Sequence, residues 1–271
     1  MNNFLPWIRI LLATSIFCVA AITAAIAVRR SGRHMKEMKD RTSRRILVIG
    51  AIANICVLVV TVLLLKYLDN RSLTDLGLRF SENDFDFSIL GMTIIFTLAV
   101  VFAVSLSHFN RFRIRLQKPV RDRTDISGLG GGILTLFIVA LQEEVLFRGY
   151  ITLNLLSFGP AVVIFVSTIL FAAIHLLTNR ANIYQFASWL LTGAVLAYIY
   201  LVCGSIWVPV ILHFAIDLTN MLILNIAGRF SFFKIVPPVT DRQRSAYRLV
   251  CNAALVVVLL AFYSTQIRFI L

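Results

Sequence analysis

The chain has 271 residues, of which 59% are hydrophobic and 14% charged, and its mean hydropathy is +0.87. A water-soluble domain of this length carries about a quarter charged residues, so a single aqueous globule is excluded and a bilayer is the solvent this composition calls for. The net charge of +13 raises nucleic acid as a partner, but no aromatic-interleaved patch or binding motif accompanies it, and no nucleic-acid partner is expected.

An apolar helix of about 20 residues crosses the ~30 Å hydrocarbon core. Runs of that kind occupy residues 10–28, 46–65, 87–106, 130–157, 160–177, 183–202, 206–226 and 249–265. They predict an all-α fold, a polytopic membrane helical bundle of about eight transmembrane helices, with residues 1–271 as a single membrane domain. The first run is too long for the apolar part of a signal peptide and no small-residue cleavage site follows it, so it reads as a span. Segments 29–45, 107–128 and 227–248, with Arg180, hold 20 of the 26 Lys and Arg residues, whereas 66–86 holds three basic residues against five acidic ones. The positive-inside rule places the first group in the cytoplasm and both termini outside. Gly128 and Gly130-Gly131-Gly132 lack the Gly-Lys-Ser/Thr that completes a phosphate loop, and are expected to form a flexible lead-in to the fourth span. Cys18, Cys56, Cys203 and Cys251 are scattered singly through apolar runs, which predicts neither disulfides nor a zinc site built on cysteine.

An ionisable side chain at the bilayer centre costs at least about 2.5–3.5 kcal/mol on insertion scales, so each one needs a reason. Ten of the 13 acidic residues fall in loops, while Glu143, Glu144 and Asp217 lie in spans. His175, His213 and Arg148 join them; His34 and His108 fall in loops or at span ends. These six intramembrane residues occupy only the fourth, fifth and seventh spans. Glu144 and Arg148 are four apart, so they share a face and can pair, with the carboxylate N-terminal to the cation as helices prefer. Glu143 is rotated by about 100° and its own i+4 neighbour is Phe147, so a partner for it has to come from another helix. The breaker-rich turn Ser157-Phe158-Gly159-Pro160 joins spans four and five. Glu143 lies 16 residues before Gly159 and His175 lies 16 after it. Antiparallel helices of equal rise bring both to one depth, about 24 Å from the turn. His213 and Asp217, nine and thirteen residues past Gly204, share a face within about two helical turns of that level.

A carboxylate in apolar surroundings suits general acid or base work, and imidazoles beside it can orient a water, donate to a developing oxyanion or bind a metal. Hydrolysis of a carbonyl compound uses all of these parts. No serine or cysteine sits in a nucleophile motif, so an activated water is expected rather than a covalent intermediate. A structural Glu144–Arg148 pair, a packing histidine at 175 and a His213–Asp217 clasp would account for each element singly, but not for their common depth.

At these residues the sequence resembles the CPBP family, the type II CAAX prenyl endopeptidases and their bacterial Abi and bacteriocin-immunity relatives. The motifs EExxxR, FxxxH and Hxxx[ND] read here as Glu143–Arg148, Phe171–His175 and His213–Asp217, flanked by Gly149-Tyr150 and by Gly204–Pro209. The resemblance covers about residues 130–220, the expected CAAX-protease-like core. It implies an intramembrane endopeptidase in which Glu143 activates the water with help from His175, His213 and residue 217 stabilise the tetrahedral intermediate, and Glu144 and Arg148 support them. An asparagine at 217 could donate to an oxyanion directly; Asp217 does so only when protonated, or instead orients His213, or shares a metal with Glu143, His175 and His213. HExxH is absent. The expected chemistry requires no cofactor, zinc on those four residues being the alternative. The expected partners are a peptide or protein substrate at the membrane, CAAX-like or other, and the lipid bilayer, in a prokaryotic plasma membrane. A catalytically inactive scaffold or immunity protein, or a proton-coupled transporter, are the rival functions; the sequence has neither the inverted repeat nor the paired broken helices of many transporters.

The topology is testable. Single cysteines placed in 29–45, 107–128 and 227–248 of a cysteine-free protein are expected to resist an impermeant maleimide in intact cells, while one in 66–86 reacts. Labelling at any of the first three overturns the assignment.

Overall fold

The computed structural model describes residues 4–31, 44–109, 113–116, 123–178, 181–223, 230–236 and 240–266. Helices follow the apolar runs: α1 (Leu5–Ser31), α2 (Arg44–Leu63), α3 (Glu82–Phe109), α4 (Arg123–Glu144), α5 (Pro160–Thr178), α6 (Ile183–Cys203), α7 (Trp207–Leu222) and α8 (Asp241–Gln266). Among the described residues seven helices are long and apolar enough to cross a membrane. The remaining one, α7, has 16 residues and spans about 24 Å, shorter than the 206–226 run suggests. The chain is an integral, multi-pass membrane protein with an all-α bundle. Side chains such as Val104, Phe165 and Val257 remain exposed on its outside, where lipid replaces water as their surroundings.

Helix α4 lies against α2 and α7, α7 is also flanked by α3 and α6, and α6 packs on α5 and α8. Helix α1 packs on α2 and α5, with Ile10, Ala13 and Phe17 buried and Arg9 Nε 2.7 Å from Asp69 Oδ1, so the first run is a working member of the bundle. Two expectations need correction. Gly128 and Gly130-Gly131-Gly132 lie inside α4 and form no flexible lead-in. A Cβ at Gly128 would come within 3.1 Å of Phe230, and one at Gly131 within 3.5 Å of Leu47 on α2, so missing side chains let neighbours close in, as small residues do in membrane bundles. Nor is the fourth span continuous α-helix: after Glu144 the chain winds as a π-helix over Val145–Ile151, then makes one α turn at Thr152–Leu155 and a 3-10 turn at Leu156–Phe158. Wider winding displaces carbonyls from the regular ladder. The Phe147 carbonyl accepts from Thr152 Oγ1 at 3.3 Å and from Ser167 Oγ of α5 at 3.2 Å.

One end of the bundle carries a small addition to the helical plan. Strands β1 (Arg113–Leu116) and β2 (Phe233–Val236) pair antiparallel, with Arg113 opposite Val236, and join two of the basic segments. The larger part of segment 29–45, with His34, and Arg180 lie outside the described residues. At the other end, the segment after α2 wedges into the bundle: Leu76 is fully buried and the Gly77 carbonyl accepts from the Ile206 N–H at 3.1 Å. Gly77 has φ +72°, and a Cβ there would lie 2.5 Å from the Gly204 carbonyl oxygen. Gly77→Ala is therefore expected to cost about 1–3 kcal/mol, measured as a drop in the Tm of the purified protein. Gly50→Ala, where a Cβ meets nothing within 4 Å, is expected to leave Tm unchanged or raise it.

Candidate active site

Glu144 ends α4 and Arg148 sits one turn on, both fully buried. Glu144 Oε1 accepts from Arg148 Nη1 at 3.0 Å and from His213 Nδ1 of α7 at 2.7 Å. Arg148 continues across the bundle: Nη2 donates to the Gly193 carbonyl of α6 at 3.1 Å, and the guanidinium carbon lies 4.5 Å from the centre of the Phe171 ring on α5. A Cβ at Gly193 would stand 3.2 Å from Phe171 Cδ1, so glycine lets the two helices close around the arginine. Four helices thus meet on one charge pair, and the arginine's planar fork serves two acceptors at once.

Glu143 points elsewhere. Its Oε2 is buried without a hydrogen-bond partner among the described residues, 3.7 Å from His175 Nε2 and 3.9 Å from His213 Nε2. Those separations exceed a hydrogen bond and fit groups bridged by a water. Both rings are held by their other nitrogen. His175 Nδ1 lies 2.8 Å from the Phe171 carbonyl, which only accepts, so Nδ1–H donates and Nε2 faces Glu143. His213 Nδ1–H donates to Glu144, which turns Nε2 towards Glu143 and towards Asp217 Oδ2 at 3.7 Å. Phe171 and Trp189 stack against the His175 ring at 4.5 and 4.9 Å between centroids. The three groups and Asp217 line a cavity of about 70 Å³, room for a few waters.

All six residues singled out by the sequence lie together here, on α4 and its π-helical continuation, α5 and α7. The residue hydrogen-bonded to His213 is Glu144, whereas Asp217 sits on the cavity side, its side chain 31% exposed. Two further helices contribute. Ser188 and Thr192 of α6 and Arg248 and Asn252 of α8 line the cavity, as does Asn220 of α7. Arg248 belongs to the basic segment 227–248 between apolar runs, but α8 begins at Asp241 and Arg248 lies within it. A legible signal was present: Ser245, Arg248 and Asn252 recur at i, i+3 and i+7, one polar stripe on a membrane helix. As for a metal, a tetrahedral zinc with ligand bonds near 2.1 Å sets its ligand atoms about 3.4 Å apart. The separations here are wider, and among the described residues no group of three His, Cys, Asp or Glu has metal-holding geometry.

The buried pair generates a stability prediction. Arg148→Ala leaves the buried Glu144 carboxylate with His213 as its one remaining partner among the described residues and is expected to cost about 3–5 kcal/mol, seen as lost folded yield. Arg148→Met with Glu144→Gln is expected to recover much of that yield, because no unpaired charge remains. A double variant no better than Arg148→Ala would show that packing, not charge, dominates.

Residues 126–219 match the family model described as type II CAAX prenyl endopeptidase Rce1-like. No curated protein matches the chain. The matched segment, well under half the chain, contains Glu143, Glu144, Arg148, Phe171, His175, His213 and Asp217. Over these residues the chain is similar to the Rce1-like type II CAAX prenyl endopeptidases, which supports a CPBP/Abi-type membrane protease.

Proposed function

We propose that the protein is an intramembrane endopeptidase in which Glu143 activates a water for attack on a peptide carbonyl, the substrate being a membrane-associated peptide or protein, CAAX-like or other. The observation that carries this reading is Glu143 Oε2, buried and without a hydrogen-bond partner, between two imidazole nitrogens at 3.7 and 3.9 Å on a cavity wall. An unsatisfied buried carboxylate oxygen is costly, and a water between the three groups would satisfy it.

The hydrogen-bond directions support one division of roles. With Nδ1–H committed to the Phe171 carbonyl, the neutral His175 ring presents a lone pair at Nε2, which accepts one water O–H. Glu143 accepts the other and takes that proton as the oxygen attacks the carbonyl carbon. His213, with Nδ1–H against the Glu144 carboxylate, donates from a protonated Nε2 to the oxyanion. Glu143 then hands its proton to the departing amine nitrogen as the C–N bond breaks, which leaves an acid and an amine and returns the base. Asp217, one turn from His213, lies where a second oxyanion donor is useful. No metal ion takes part in this scheme.

Three measurements on a detergent-solubilised membrane peptide test it. Glu143→Gln is expected to lower turnover by at least about 10²-fold with Tm nearly unchanged, since it removes the base and keeps the shape. Asp217→Asn is expected to retain or gain activity, above neutral pH most of all, because an amide donates without needing a proton. The intact protein is expected to keep its activity in strong chelators. Wild-type turnover by Glu143→Gln sinks the mechanism; chelator inhibition reversed by zinc, with an inactive Asp217→Asn, replaces it with metal-assisted hydrolysis.

A further inference from the structure

The polar wall of the cavity extends beyond the groups that the proposed hydrolysis uses. Along α7, His213, Asp217 and Asn220 succeed one another at i, i+4 and i+7 towards the end that leads into the basic segment 227–248. Facing this stripe, α8 presents Arg248 and Asn252 to the same cavity. Two hydrogen bonds to α6 fix the register of that face: Asn182 Nδ2 donates to Ser245 Oγ, and Asn252 Nδ2 donates to Ser188 Oγ. Arg248 lies between these anchors, half-buried, about 10 Å along α8 from Asp241. Arg242, by contrast, stacks on Tyr184 at 5.6 Å and does not line the cavity. An arginine held in the wall of a membrane-embedded cavity beside two side-chain amides presents a guanidinium fork and additional N–H donors, the recognition set for a carboxylate.

We propose that Arg248, with Asn220 and Asn252, forms a subsite that binds a carboxylate of the substrate and so makes Arg248 a specificity-determining residue. The subsite occupies the part of the cavity nearer the basic end of the bundle, with Glu143, His175 and His213 deeper in. It rests on the reading of this cavity as the hydrolytic site. The carboxylate can be a free chain terminus or an acidic side chain, and both offer the same planar acceptor to the guanidinium.

The test uses the full-length protein in detergent and one hydrophobic peptide in three forms: free C-terminal acid, C-terminal amide, and C-terminal amide with a glutamate as last residue. Binding is measured on Glu143→Gln, so that no turnover is needed, and hydrolysis on the otherwise unchanged enzyme. At least one carboxylate-bearing form is expected to bind about tenfold or more tighter than the neutral amide, and which one does so identifies the source of the carboxylate. Adding Arg248→Gln is expected to abolish that preference, and Arg248→Lys to keep part of it. In the active enzyme Arg248→Gln is expected to raise KM for the preferred form with kcat within about threefold, since it removes binding common to ground and transition states. Equal binding of all three forms overturns the subsite, as does a preference that survives Arg248→Gln. If Arg248→Gln does not fold, the three-form comparison on Arg248→Lys against its parent decides: an undiminished preference overturns the subsite, a reduced one supports it. Carboxylate preference without turnover of any form supports the subsite and overturns the protease reading; equal turnover and binding of acid and amide forms does the reverse.

Discussion

Glu144 Oε1 accepts from both Arg148 and His213 in the buried interior of the bundle, and the geometry of the site follows from that shared oxygen. A charge pair out of water is tolerable only when its remaining donors and acceptors are met. The arginine meets part of that condition through the Gly193 carbonyl and the face of Phe171, which ties α4, α5, α6 and α7 to one point, while Arg148 Nε and Glu144 Oε2 have no hydrogen-bond partner among the described residues. Because Glu144 holds His213 by Nδ1, the orientation of Nε2 is set before any substrate arrives. Adjacent carboxylates then diverge in role: Glu144 is consumed in structure, and Glu143, about 100° around the helix, is left facing the cavity.

The membrane-helix plan was legible because apolar runs and breaker residues report directly on the bilayer. So was the meeting of Glu143 with His175, since equal spacing either side of Gly159 survives any detail of packing. The π-helical stretch was not legible. It arises where the Phe147 carbonyl finds hydroxyl donors at Thr152 and Ser167, a tertiary circumstance that no local pattern announces. The glycines of α4 were misjudged for a related reason. Flexibility is their default reading in water, whereas a packed membrane helix uses the same missing side chains for close approach. The shares of α6 and α8 went unnoticed because backbone carbonyls and neutral amides carry no charge to mark them as misplaced. Arg248 was hidden by its position at the edge of an apolar run, where a basic residue is expected on topological grounds alone.

Depth unites these features. His175 lies three residues from the end of α5, and Asn220 two from the end of α7, while the Gly159 and Gly204 turns stand at the far side of the bundle. The cavity therefore sits towards the end where β1 and β2 pair. Short α7 supports that placement: at about 24 Å it falls short of the hydrocarbon thickness, so one of its ends lies near the polar boundary without its neighbours having to part. Under the positive-inside orientation that boundary is cytoplasmic. For the peptide substrate proposed above, Asn220, Asp217, Asn252 and Arg248 would supply hydrogen-bond partners on that side of the cavity, as any non-helical chain in a membrane requires.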